Sequence, residues 1–170
     1  MKKILFIVVI PLLLFSFDYK KEFLNKNYKS VCKRGVLKIN SIKDENLKSL
    51  IGIACLKSDN IFYLPYVANS LKKTKEGRLN SIYFSVIFLQ KKLLYSYMMD
   101  GIDISYYKTP MTDYVLSVVV NNISLGNFKK ENNKIIINYK NKKYIVYKED
   151  DKVIVEVYEN GNLIKTHWYR

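Results

Sequence analysis

Histidine is almost missing from this 170-residue sequence, and His167 is the only one. A single imidazole cannot build a two-histidine metal site, and with two cysteines it matches no familiar zinc pattern. Any Ser-His-Asp arrangement would have to use His167, yet no nucleophile-elbow sequence accompanies it. Lying beside Trp168 in an alternating run, it reads as a surface or packing residue rather than a catalyst. Glycine is scarce too, at six residues, and none forms the Gly-rich loop that cradles phosphate. The 29 basic residues are nearly all lysine, with no arginine-rich block. No stretch approaches the roughly 20 apolar residues that a membrane-spanning helix needs. Gln90, Lys91 and Lys92 interrupt the most apolar internal segment, residues 82–94.

The chain opens with a different kind of segment. Lys2 and Lys3 precede an unbroken apolar run, residues 4–15 (ILFIVVIPLLLF), which Ser16, Phe17 and Asp18 end. This run is too short for a span and contains Pro11, but it suits the core of a secretory signal peptide. Residues 1–16 are therefore expected to be a signal peptide cleaved after Ser16, placing the mature protein in the periplasm. The alternative is an uncleaved N-terminal anchor. No cysteine follows the run directly, which argues against a lipoprotein.

Export changes how the rest is read. Cys32 and Cys55, the only cysteines, most simply form one disulfide in an exported chain. Closing that loop would stabilise the fold by about 3 kcal/mol on the loop-entropy model; two buried free thiols are the competing reading. The formal charge is +14, which in a cytosolic protein would first suggest nucleic acid. Export removes that partner. The lysines are spread thinly, as on a solvated surface, and the alternatives are an acidic protein, anionic lipid headgroups or anionic peptidoglycan.

Periodicity divides the mature chain into a helical region, residues 17–125, and a β-meander, residues 126–170, an α+β architecture. The spacing of Phe23, Leu24, Tyr28, Val31 and Cys32 predicts a first helix ending near Gly35 or Ile39. Ser41 or Asp44 caps a second helix, with Leu47, Leu50, Ile51, Ala54 and Cys55 on one face. A short third helix covers residues 61–72, and the longest covers about 77–99. Its uncharged stretch from Leu79 to Leu89 predicts the buried centre of the bundle. Thr109-Pro110 is the start signal for a fifth helix to residue 122, whose VLSVVV run also suits a buried strand. Four alternating runs follow, residues 134–139, 143–148, 152–158 and 162–169. Asn141-Lys142, Asp150-Asp151 and Asn160-Gly161 separate them, and Asn-Gly is the strongest hairpin signal.

Asp100, Asp103 and Asp113 surround one loop and read as caps and turn residues, since no calcium-loop pattern is present. No metal or cofactor is expected. Around that loop cluster Tyr95, Tyr97, Tyr106, Tyr107 and Tyr114, which with Trp168 are the candidate interaction residues, because Tyr and Trp combine apolar area with a polar tip. The stretch from Leu47 to Ser105 (LKSLIGIACLKSDNIFYLPYVANSLKKTKEGRLNSIYFSVIFLQKKLLYSYMMDGIDIS) resembles small uncharacterised periplasmic proteins of the epsilon class of proteobacteria, with short helical-repeat modules behind a signal peptide. That resemblance implies a repeat-like helical region and, from lineage and location, an accessory place beside a flagellar motor. It supplies no catalytic motif. The expected function is thus a non-enzymatic periplasmic protein–protein interaction or structural module of a cell-envelope assembly. The alternative is a basic-surface module for peptidoglycan or lipid headgroups. A hydrolase is the third reading, to be raised by a pocket lined by two or more of Asp100, Asp103, Asp113 and His167.

Overall fold

Helix α1 (Tyr19–Leu24) begins where Asp18 accepts from the backbone N–H groups of Lys20 and Lys21, at 3.0 and 3.1 Å. A short polar side chain there satisfies donors that the first turn cannot pair. The computed structural model describes residues 17–170, so the expected signal peptide lies outside the described residues. Among the described residues, no helix is long and apolar enough to cross a membrane. The single first helix of the sequence pattern is in fact two. Lys26 turns left-handed at φ 62° and α2 (Tyr28–Leu37) starts afresh after it. Asn27 donates to the Glu22 carboxylate at 2.6 Å across this corner.

Asp44 caps α3 (Glu45–Lys57) through the Asn46 N–H at 2.8 Å. Helices α2 and α3 pack closely for two reasons. Cys32 and Cys55 form the expected disulfide, with Cα atoms 4.8 Å apart. Gly35 leaves room for Ile51, whose Cγ1 would lie 2.6 Å from a Cβ at that position. A 3-10 turn (Ile61–Tyr63) then leads into α4 (Leu64–Ser70), with Pro65 in the first turn, where its missing N–H costs no hydrogen bond.

The link from α4 to α5 (Lys75–Asp100) is tied to Glu45 at the start of α3. Oε1 of Glu45 accepts from the Lys72 and Lys73 N–H groups at 2.6 and 2.8 Å. Oε2 accepts from the Thr74 N–H and hydroxyl, both at 2.7 Å. These donors, the Lys73 N–H foremost and the Thr74 hydroxyl next, hold the carboxyl down to about 2. A side chain at Gly77 would collide with the same carboxylate. Helix α5 ends at Gly101, which is left-handed at φ 68°.

The uncharged centre of α5 is not buried all round, as its composition predicts. Phe84, Ile87, Gln90 and Leu94 are buried, but Leu79 and Ile82 are 58% and 61% exposed. Neighbours cover only one side of the helix, so absence of charge marks a stripe and not a centre. The fifth predicted helix also starts later, as α6 (Val115–Ser124). Gln90 holds the preceding loop: its Nε2 donates to Thr109 Oγ1 at 2.9 Å and to the Pro110 carbonyl at 3.1 Å. Its Oε1 accepts from the Ser117 hydroxyl at 3.0 Å. Those bonds draw residues 109–114 across α5 and out of helical geometry. The VLSVVV run is helical, burying Leu116, Val119, Val120 and Ile123 at three- and four-residue steps.

The meander has five strands where four are predicted: β1 (Lys129–Glu131), β2 (Lys134–Tyr139), β3 (Lys142–Glu149), β4 (Lys152–Glu159) and β5 (Asn162–Tyr169). Each is antiparallel to the next, in the order β1-β2-β3-β4-β5. The extra strand, β1, is charged, exposed and three residues long, so it carries no alternation to read. Left-handed Asn132 and Asn133 (φ 47° and 61°) turn it into β2. Asn160 and Gly161 (φ 52° and 80°) make the hairpin expected of them. The β2–β3 loop is Lys140-Asn141, one residue earlier than predicted. Ile135, Ile137, Tyr144, Val146, Val153, Val155 and Val157 join Phe84, Leu94, Val119 and Ile123 in one core. The sheet therefore packs one face on α5 and α6. On the other face Ile154 is buried between its cross-strand partners Tyr147 and Trp168.

Candidate functional site

Asp59, just past α3 and left-handed at φ 54°, joins the bundle to the last strand. Its Oδ1 lies 2.7 Å from Nδ1 of His167 on β5 and accepts from the Tyr114 hydroxyl at 2.9 Å. Both side chains of the acid–imidazole pair are largely sheltered, at 12% and 6% exposure. Tyr169 stacks on the imidazole with planes 10° apart, and Tyr114 meets it edge-on. The Tyr169 hydroxyl completes the group with a 3.4 Å contact to that of Tyr114. Burial pushes both phenols well above their ordinary value, and the Asp59 charge adds to the shift. They are donors, not acids, at any moderate pH. The only histidine is thus a packed, hydrogen-bonded residue.

Two concavities flank this hub. The larger, about 420 Å³, opens between α3, α6 and the sheet on the side of His167 and Tyr114. Ile53, Leu56, Val118 and Val157 line it with apolar surface, and Lys57, Lys142 and Lys165 join the lining from three elements. Asp113 also lines it, accepting from the Tyr83 hydroxyl at 2.7 Å. Burial and that carboxylate push the Tyr83 phenol well up. Asp113 and His167 therefore share a cleft, the pairing that the hydrolase reading asks for. Tyr83, Tyr114 and Tyr144 supply the hydroxyls of the lining, and among the described residues no Ser, Thr or Cys joins them there.

The second concavity, about 380 Å³, lies at the end of β5. Ile61 and Tyr169 contribute to its lining beside Phe62 and Trp168, which are 60% and 46% exposed. Lys91 and Arg170 add positive charge; Arg170 is paired with Asp151 at 2.6 Å. Burial and neighbouring Lys92 hold the Lys91 ammonium below its ordinary pKa.

The structure disperses the predicted tyrosine cluster. Tyr114 belongs to the hub, 55 residues from Asp59 in sequence. Tyr95 donates to the Asp151 carbonyl at 3.2 Å, clipping α5 to the β3–β4 turn. Tyr97 packs beneath the Lys130 ammonium, 5.8 Å from its ring centre. Tyr106 and Tyr107 stay exposed on the loop after α5. Asp103 makes a turn, accepting from the Ser105 N–H and hydroxyl at 2.9 Å each. Asp59 and Phe62, central to the junction, carry no signal in the sequence beyond a break in helical spacing. Among the described residues, no group of three or more His, Cys, Asp or Glu is placed to hold a metal ion. Comparison with protein-family models, curated proteins and solved structures gives no match to this chain.

Proposed function

We propose that this protein is a non-enzymatic interaction module of a cell-envelope assembly, periplasmic after export, that holds a partner protein at the groove beside Trp168. The observation carrying this reading is the exposure of two large aromatic residues, Phe62 and Trp168, in the lining of one apolar concavity. Exposed aromatic anchors at a well-formed pocket are where binding energy concentrates in protein interfaces. Beside it runs β5, which among the described residues pairs only with β4, and an edge strand of this kind is where an added strand can pair. The Lys91 ammonium favours a partner segment that combines an apolar side chain with a carboxylate. The Cys32–Cys55 disulfide supports an oxidising compartment, and the N-terminal apolar run supports export.

A photo-crosslinker placed at Phe62 or Trp168 in living cells should yield one discrete adduct, and the same group at Lys20 on α1 should yield none. The purified partner should then shift the emission of Trp168, the single tryptophan, and Lys91→Glu should weaken binding about tenfold. Adducts of equal number and intensity from all three positions would overturn the assignment.

A further inference from the structure

We infer that the cleft between α3, α6 and the sheet binds an amphiphile with an anionic head, an acyl chain ending in a carboxylate or a phosphate. The inference stands apart from the Trp168 groove and shares no lining residue with it. Its first ground is the wall chemistry. Ile53 and Leu56 on α3 and Val115 and Val118 on α6 face Val157 and Ile164 of the sheet across about 420 Å³. Small-molecule sites fall in this range of volume and are built in this way, mostly apolar with a few charged groups.

The second ground is charge. Lys57, Lys142 and Lys165 come from α3, β3 and β5 and converge on one cleft. Among the described residues, only Lys142 has a carboxylate within reach, Glu159 at 4.0 Å. Lys57 instead lies over the Tyr28 ring, 5.5 Å from its centre. Of the nearby acids, Asp113 is engaged by Tyr83 and Asp59 by His167 and Tyr114. Those bonds leave the carboxylates charged, but the lining still carries three lysines against the single carboxylate of Asp113, and that excess selects an anion. Lysine supplies compact point charges rather than arginine's planar fork, which suits a carboxylate or phosphate head without demanding one geometry. Its apolar stem can lie along an acyl chain while the ammonium stays at the rim.

The test uses decanoate, decyl phosphate and decyltrimethylammonium as monomers, with calorimetry and methyl NMR on the full chain. Both anions should bind, shifting the methyl signals of Ile53, Val118 and Ile164, and the cation should bind at least about tenfold more weakly. The tighter of the two anions marks the natural source as a fatty acid or a lipid phosphate. Replacing the three lysines together (Lys57→Gln, Lys142→Gln, Lys165→Gln) should remove the preference for anions, and added salt should weaken anion binding alone. Val118→Phe should occlude the apolar wall and lower the affinity for every probe while the spectrum stays dispersed. Equal binding of cation and anions, methyl shifts centred on Ile61 of the other groove, or no binding of either anion to the unaltered protein would overturn the inference.

Discussion

One carboxylate, that of Glu45, takes four hydrogen bonds from a connection 27 to 29 residues further along the chain. Its folded pKa is about 2 against an ordinary 4.5. A depressed carboxyl stabilises the fold fully above its unfolded value, and that contribution drains away as pH falls from 4.5 towards 2. Chemical denaturation across this range should show the loss, and Glu45→Gln should both lower the urea midpoint at neutral pH and flatten the acid limb. In the sequence, Glu45 is only an acid in the first turn of a helix, where the dipole favours it. Three of its four partners are unreadable there because they are backbone N–H groups, which every residue carries. Asp59 is hidden for a related reason: its partner His167 is 108 residues away, and nothing local encodes that distance.

Helix α5 shows what periodicity can and cannot reveal. Capping by Thr74 and the stop at Gly101 place its ends at Lys75 and Asp100, close to the span that apolar spacing predicts. Which side meets the core is a separate matter. Ile82→Gln, at a position 61% exposed, should change unfolding free energy by less than about 0.5 kcal/mol. Phe84→Ala, two positions on and fully buried, should cost about 3–5 kcal/mol in the same urea titration. Equal effects would mean that the exposed stripe is covered in solution. The late start of α6 has a comparable origin, since buried Gln90 needs partners and takes them from Thr109, Pro110 and Ser117. A buried amide left unpaired costs more than a forgone helical turn gains. Strand β1 escapes periodicity because a three-residue charged edge has no apolar face to repeat.

Across the whole molecule, one core spans bundle and sheet, and the hub of Asp59, Tyr114, His167 and Tyr169 seals the seam at one edge. Two devices hold distant parts together, and only one is covalent. Reducing Cys32–Cys55 should lower stability by about 3 kcal/mol, seen as a drop in urea midpoint with thiol reductant that a Cys32→Ala/Cys55→Ala double variant reproduces without it. Because the disulfide joins α2 to α3, away from β5, the emission of Trp168 in the native state should stay unchanged.

Legible in the sequence alone were the α+β division, a helix cap at Ser41 or Asp44, the Asn160-Gly161 hairpin and a disulfide between the two cysteines as the simplest reading. Each follows from local physics: a spacing of apolar residues, a short polar side chain before a helix, a left-handed turn, or the oxidising compartment that an export signal implies for two cysteines. Tertiary packing alone takes Tyr114 from its neighbours to the hub and sets Lys57, Lys142 and Lys165 around one cleft. It also sets Phe62 and Trp168 in the lining of one groove. Those are meetings between elements, set by how the sheet settles on α5 and α6, and packing of that kind leaves no period in a sequence.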